Sequence, residues 1–124
     1  MILVDASVWI AHLQSGEPRL AQLLGQQQVL VHEMVLGEVA LGGQGQRQLA
    51  TDLLPHLPMA PLATYEEVMA LVDQHRLYAR GIGYVDVHLL AATKLSQGAR
   101  LWTRDKRLQA ASQLLGVEYP DLLH

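Results

Sequence analysis

The chain opens on an unbroken apolar run, Met1-Ile2-Leu3-Val4, that stops at Asp5-Ala6-Ser7. A short run without polar alternation predicts a strand covered on both faces, as in a parallel sheet. Asp5 or Ser7 is then placed to cap a helix over residues 8–13. Gly16, Glu17 and Pro18 open a second helix that runs through Leu24 and stops at Gly25. Val29-Leu30-Val31 repeats the signature of the first strand. Apolar residues at helical spacing (Met34, Val35, Val39) predict a helix over 32–41, with Gly42, Gly43 and Gly45 read as its end. Another helix is expected over 46–56. Pro58 and Pro61 leave residues 57–62 at most a short or irregular strand, because proline brings no N–H to a ladder.

Thr64 with Glu67 forms a capping box ahead of a helix to about Tyr78. Gly81-Ile82-Gly83-Tyr84 reads as a flexible connector. Asp86 then precedes an apolar, alanine-rich segment, 87–95, which predicts a buried helix closed by Gly98. Leu101-Trp102-Thr103 predicts a strand, Asp105 the start of the next helix, and 117–119 a last strand. Short apolar strands alternating with helices describe an α/β fold around a central parallel sheet. No internal repeat, linker or low-complexity stretch divides the chain, so one domain over 1–124 is expected.

Composition narrows the picture. Half of the 124 residues are hydrophobic and 17% are charged, which excludes a disordered chain too poor in apolar surface to offset its ordering entropy. Without cysteine there is no disulfide framework and no thiolate zinc site. No apolar run approaches the roughly 20 residues of a membrane helix. The first apolar stretch contains Asp5 and lacks a basic flank, unlike a secretion signal, so a cytoplasmic protein with no membrane contact is expected. The net charge of −3 sits in the first half, where Arg19 and Arg47 face Asp5, Glu17, Glu33, Glu38 and Asp52. A binder of nucleic acid by bulk charge is usually basic, so any nucleic acid here needs a local patch or bound cations.

The candidate chemistry is acidic. Asp5 and Asp105 each follow a predicted strand, and Asp86 stands at the start of the buried helix. Ligands of open parallel sheets bind outside the carboxyl ends of the strands, where residues far apart in sequence converge. Glu38 adds a fourth carboxylate within its helix. Read singly, each aspartate is an ordinary helix cap and Glu38 a solvated side chain. Read jointly, two charges about 4 Å apart at an effective dielectric near 20 repel by roughly 4 kcal/mol. Such a cluster must take up protons or a cation. Hard oxygen ligands select Mg²⁺ or Mn²⁺, and such an ion suits phosphodiester hydrolysis.

At these residues the sequence resembles a known family. Val4-Asp5-Ala6-Ser7-Val8-Trp9-Ile10, Glu38, Asp86-Val87-His88-Leu89-Leu90-Ala91-Ala92 and Leu101-Trp102-Thr103-Arg104-Asp105-Lys106-Arg107-Leu108 are similar to the four landmarks of PIN-domain ribonucleases. The small size is that of the VapC-type toxins of toxin–antitoxin pairs. The resemblance runs from Met1 to about Leu108. It implies a three-layer α/β/α fold and an endoribonuclease acting on structured RNA, with Mg²⁺ or Mn²⁺ held by Asp5, Glu38, Asp86 and Asp105. Asp5 and Asp86 would be the firmest ligands. Asp105 would complete the site or orient the attacking water, and Glu38 would act through a water. Ser7 and Thr103 match positions whose hydroxyls support the carboxylates; ordinary turn and strand chemistry accounts for them equally well. The resemblance further implies a homodimer and a cognate antitoxin that blocks the site.

Other features carry less. Arg100, Arg104, Lys106 and Arg107 form the densest basic cluster, with Arg104, Lys106 and Arg107 the candidates for RNA phosphates; a solvated helix start explains each alone. Arg76 and Arg80 are one turn apart and are weaker candidates. His32-Glu33 begins like a zinc-protease motif, but Leu36 stands where the second histidine belongs. His12 and His88 read as packing or surface residues, and Trp9 and Trp102 as core beside the site rather than base-stacking groups. A small Asp-based phosphatase of the haloacid-dehalogenase type wants an aspartate at position 7, where Ser7 stands. A receiver domain wants an acidic pair near the first strand. The other alternative is a PIN-like protein-binding module without turnover.

Overall fold

Three short parallel strands set the frame: β1 (Ile2–Val4), β2 (Val29–Leu30) and β3 (Arg100–Trp102). They are seen in a computed structural model that describes residues 1–121. The order is β2-β1-β3, with Leu3 opposite Leu30 on one side and Leu101 on the other. Leu3, Val4 and Leu101 are wholly buried, as the unalternating apolar runs require. One parallel bridge extends each flank, Val31 to Met59 and Leu101 to Glu118. The expected strands at 57–62 and 117–119 are therefore single bridges. In the first, the Pro58 carbonyl accepts from the Val31 N–H and Ala60 donates back to Val31, so the flanking prolines need supply no N–H.

Among the described residues seven helices connect these strands: α1 (Ala6–Ser15), α2 (Pro18–Gly25), α3 (Glu33–Ala40), α4 (Gln44–Asp52), α5 (Tyr65–His75), α6 (Tyr84–Leu95) and α7 (Lys106–Leu114). A 3-10 turn, Leu54–His56, follows α4. Together they make the expected three-layer α/β/α fold. Helices α1, α3 and α4 pack on one another, α5 packs on α6, and α6 on β3. Residues 87–93 of α6 are all buried, as its alanine-rich pattern predicts.

The helix ends depart from the sequence reading for local reasons. Asp5 accepts from the Ala6 N–H, so α1 begins at Ala6, two residues early, and Ser7 lies inside it. Gly25 belongs to α2, and Gln27 takes the left-handed turn at φ +57°. Gly43 caps α4 and Gly45 lies within it, so these glycines start a helix as well as ending one. The Thr64–Glu67 capping box forms in both directions, but α5 stops at His75, where Arg76 turns left-handed at φ +52°. Asp86 is in the first turn of α6 rather than before it.

Strand order locates the site. The chain leaves β1 for β2 on one side and returns to β3 on the other. The carboxyl end of β1 is thus a topological switch point, the place where open parallel sheets leave a crevice.

Candidate active site

Asp5 stands at that switch point, 8% exposed at the end of β1. Its Oδ1 accepts from the Ala6 N–H at 2.7 Å. Its Oδ2 accepts from Thr103 Oγ1 at 2.6 Å and from Ser7 Oγ at 2.9 Å. Each hydroxyl has one proton and gives it to Asp5. Each is then oriented by a backbone donor from the turn after β3: Arg104 N–H to Ser7 Oγ and Asp105 N–H to Thr103 Oγ1, both at 3.1 Å. The β1 and β3 ends are thereby joined through one carboxylate.

Asp105 caps α7, its Oδ1 accepting from the Arg107 and Leu108 N–H groups at 2.9 and 3.0 Å. Asp86 reaches back from the first turn of α6 to the Gly83 N–H at 3.1 Å, the carboxylate half of a capping box. Glu38 rises from α3 and is exposed at its edge of the site.

Two of the four carboxylates feel their acidic neighbours. The Glu38 carboxyl is raised above its ordinary value by partial desolvation, then by the charges of Asp5 and Asp86. The Asp86 carboxyl is raised by desolvation and by the charges of Asp5 and Asp105, against the lowering effect of the Gly83 hydrogen bond. Asp5 and Asp86 thus act on Glu38, and Asp5 and Asp105 on Asp86, although they come from distant parts of the sequence. Among the described residues no three acidic or histidine side chains are already gathered as a metal cage. The donor set nevertheless fits a hard divalent cation: it is all oxygen, acidic, and its members repel one another.

The basic candidates divide. Arg104 is tied to two carboxylates, Glu17 Oε2 at 2.5 Å and Asp121 Oδ2 at 2.9 Å, with 17% of its side chain exposed. Its guanidinium is therefore committed to the protein. Lys106 and Arg107 are exposed on the first turn of α7 beside Asp105. Arg107 lies over the 81–83 loop so closely that a Cβ at Gly81 would stand 2.7 Å from its Nη1. Glu17 and Asp121 escaped the sequence reading, because nothing local marks a pairing over 87 and 17 residues.

His12, His32 and His88 serve as caps and packing groups. His32 caps α3 by accepting from the Met34 N–H, and His12 accepts from the Glu17 N–H. His88 is buried, with Tyr84 edge-on at 4.6 Å and His32 at 6.2 Å between ring centroids. Burial first, then His88, lowers the His32 pKa, against a raising effect from Glu33.

A parallel sheet with a buried aspartate at its switch point, and further carboxylates on the helices around it, frames the class. Residues 2–114 match the PIN domain, and the chain belongs to the PIN-domain family, among its VapC-type ribonucleases. It is 50% identical over 117 residues to Ribonuclease VapC32 of Mycobacterium tuberculosis, in strain CDC 1551 / Oshkosh and in strain ATCC 25618 / H37Rv alike. Each alignment covers 94% of this chain and 94% of the relative. The family expected from the acidic landmarks is thus the family found.

Proposed function

We propose that this chain, one PIN domain over 1–124 (residues 122–124 lie outside those described), is a metal-dependent endoribonuclease that hydrolyses phosphodiester bonds in structured RNA as the toxin of a toxin–antitoxin pair. One observation carries the assignment of the site: the Glu38 and Asp86 carboxyls are each raised first by burial and then by the charges of acidic neighbours, Asp5 acting on both. Half-identity to a named ribonuclease over almost the full chain supports the activity.

Asp5 and Asp86 are the firmest ligands for Mg²⁺ or Mn²⁺, Asp105 completes the site or orients the attacking water, and Glu38 acts through a water. When bound, the ion supplies an acidified water and stabilises charge on the phosphoryl oxygens. Ser7 and Thr103 hold the Asp5 carboxylate in one orientation by donating to it. In hydrolysis the water loses a proton as its oxygen bonds to phosphorus, the P–O bond to the leaving group breaks, and the departing oxygen takes up a proton in turn. Lys106 and Arg107 border Asp105 and meet RNA phosphates, offsetting the chain's negative charge locally. The protein works in the cytoplasm as a homodimer and is silenced by a cognate antitoxin; no helix among the described residues is long and apolar enough to cross a membrane.

Expression without a partner tests this reading in cells. Growth should arrest on induction of the wild-type chain and continue with Asp5→Ala or Asp86→Ala at equal protein levels. Growth indifferent to the wild-type protein contradicts the toxin assignment.

A further inference from the structure

Among the described residues, both ion pairs belong to Arg104. Glu17, 5% exposed at the start of α2, has no hydrogen-bond partner for Oε1, so Arg104 answers its charge through Oε2. Glu17 is buried, so loss of Arg104 would leave its charge uncompensated. Its second carboxylate, Asp121, lies beyond the Leu101–Glu118 bridge in the C-terminal segment. The same residue's N–H orients Ser7 Oγ, and the next N–H orients Thr103 Oγ1. Those hydroxyls are the two side-chain donors to Asp5. One residue thus has its side chain anchored to Glu17 and Asp121 and its backbone in the relay that orients Asp5 and leads into Asp105.

We infer that Arg104 is a positioning residue, and that the Glu17–Arg104–Asp121 latch makes the C-terminal segment part of the scaffold of the metal site. The turn is held from outside the carboxylate cluster: the latch holds Arg104, the turn orients the two hydroxyls, and the hydroxyls orient Asp5. The inference rests on the reading above that Asp5 and Asp105 hold the metal. It differs from a role for Arg104 on RNA, because it predicts effects with no RNA present.

The test uses the full chain with Asp121→Asn and Arg104→Lys, since Arg104→Met exposes a buried charge and threatens folding. Amide exchange is measured without metal, and Mn²⁺ affinity by titration. Asp121→Asn should speed exchange at the Arg104 and Asp105 amides by about tenfold while α5 keeps its wild-type rates. It should also weaken Mn²⁺ binding by about tenfold, as loss of outer-shell support does. Arg104→Lys, which keeps the charge without the fork, should fall between wild type and Asp121→Asn. Wild-type exchange at both amides with wild-type Mn²⁺ affinity overturns the inference. Faster exchange throughout, α5 included, also overturns it, leaving a general stabiliser. If wild type and Asp5→Asn bind Mn²⁺ alike while the two amides still respond to Asp121→Asn, the latch stands and the metal assignment fails.

Discussion

Both oxygens of the Asp5 carboxylate are engaged, by the Ala6 N–H on one side and by two hydroxyls on the other. Thr103 is 1% exposed and both donates to Asp5 and accepts from Asp105. Thr103→Val keeps the shape and deletes both bonds. It should lower stability by about 1–3 kcal/mol in urea unfolding, the usual loss when a buried polar group loses its partner. Because it loosens Asp5 and Asp105 together, it should also reduce cleavage while leaving Lys106 and Arg107 in place. Ser7→Ala removes the second donor and should act in the same direction. Unchanged urea midpoints and cleavage in Thr103→Val contradict this relay.

At the scale of elements, the loop before α6 concentrates the constraints. Gly81 takes φ +75° and lies under Arg107, and two residues on the Gly83 N–H binds Asp86. Gly81→Ala forces a side chain into the left-handed region, costing about 1–2 kcal/mol, and displaces the Arg107 guanidinium. It should lower Tm and raise KM for RNA more than it lowers kcat. Thr64→Ala offers the contrast: it removes the cap of α5, costs about 1 kcal/mol, and should leave cleavage untouched. Much of this level is legible in sequence. Unalternating apolar runs place β1, β2 and β3, and Thr64-x-x-Glu67 is a local pattern with a local cause. The start of α6 is less legible, because Asp86 serves equally as a cap before a helix or as an acid within its first turn. Only the hydrogen bond to Gly83 decides between them. The bridges at Met59 and Glu118 depend on tertiary pairing that periodicity does not encode.

At the scale of the molecule, the fold brings like charges together and its stability should register that. Glu38 and Asp86 bind protons more tightly in the folded chain than in the unfolded one. Their contribution is therefore full below the ordinary carboxylate range and is lost as pH rises through their raised values. In chelator, Asp86→Asn should be more thermostable than wild type, with a gap that widens from pH 5 to pH 7. Saturating Mg²⁺ should close the gap by stabilising the wild type alone. Metal affinity should rise over the same interval as the two carboxylates lose their protons. The proposed acidic site is legible where Asp5, Asp86 and Asp105 stand at a strand end or helix start, while Glu38, inside α3, has no such local mark. The Arg104 latch was not, because Glu17 and Asp121 look like solvated charges until the fold brings them to one guanidinium.

The central claim is that Asp5 and its acidic neighbours form a metal-dependent ribonuclease site. Incubation of the purified protein with total bacterial RNA, in Mg²⁺, in Mn²⁺ and in chelator, beside Asp5→Ala, addresses it most directly. The account predicts discrete fragments with wild type plus metal, and none in chelator or with Asp5→Ala. Fragments that persist in chelator or with Asp5→Ala contradict the site, and intact RNA under every condition with folded, metal-binding protein contradicts turnover and favours a binding module.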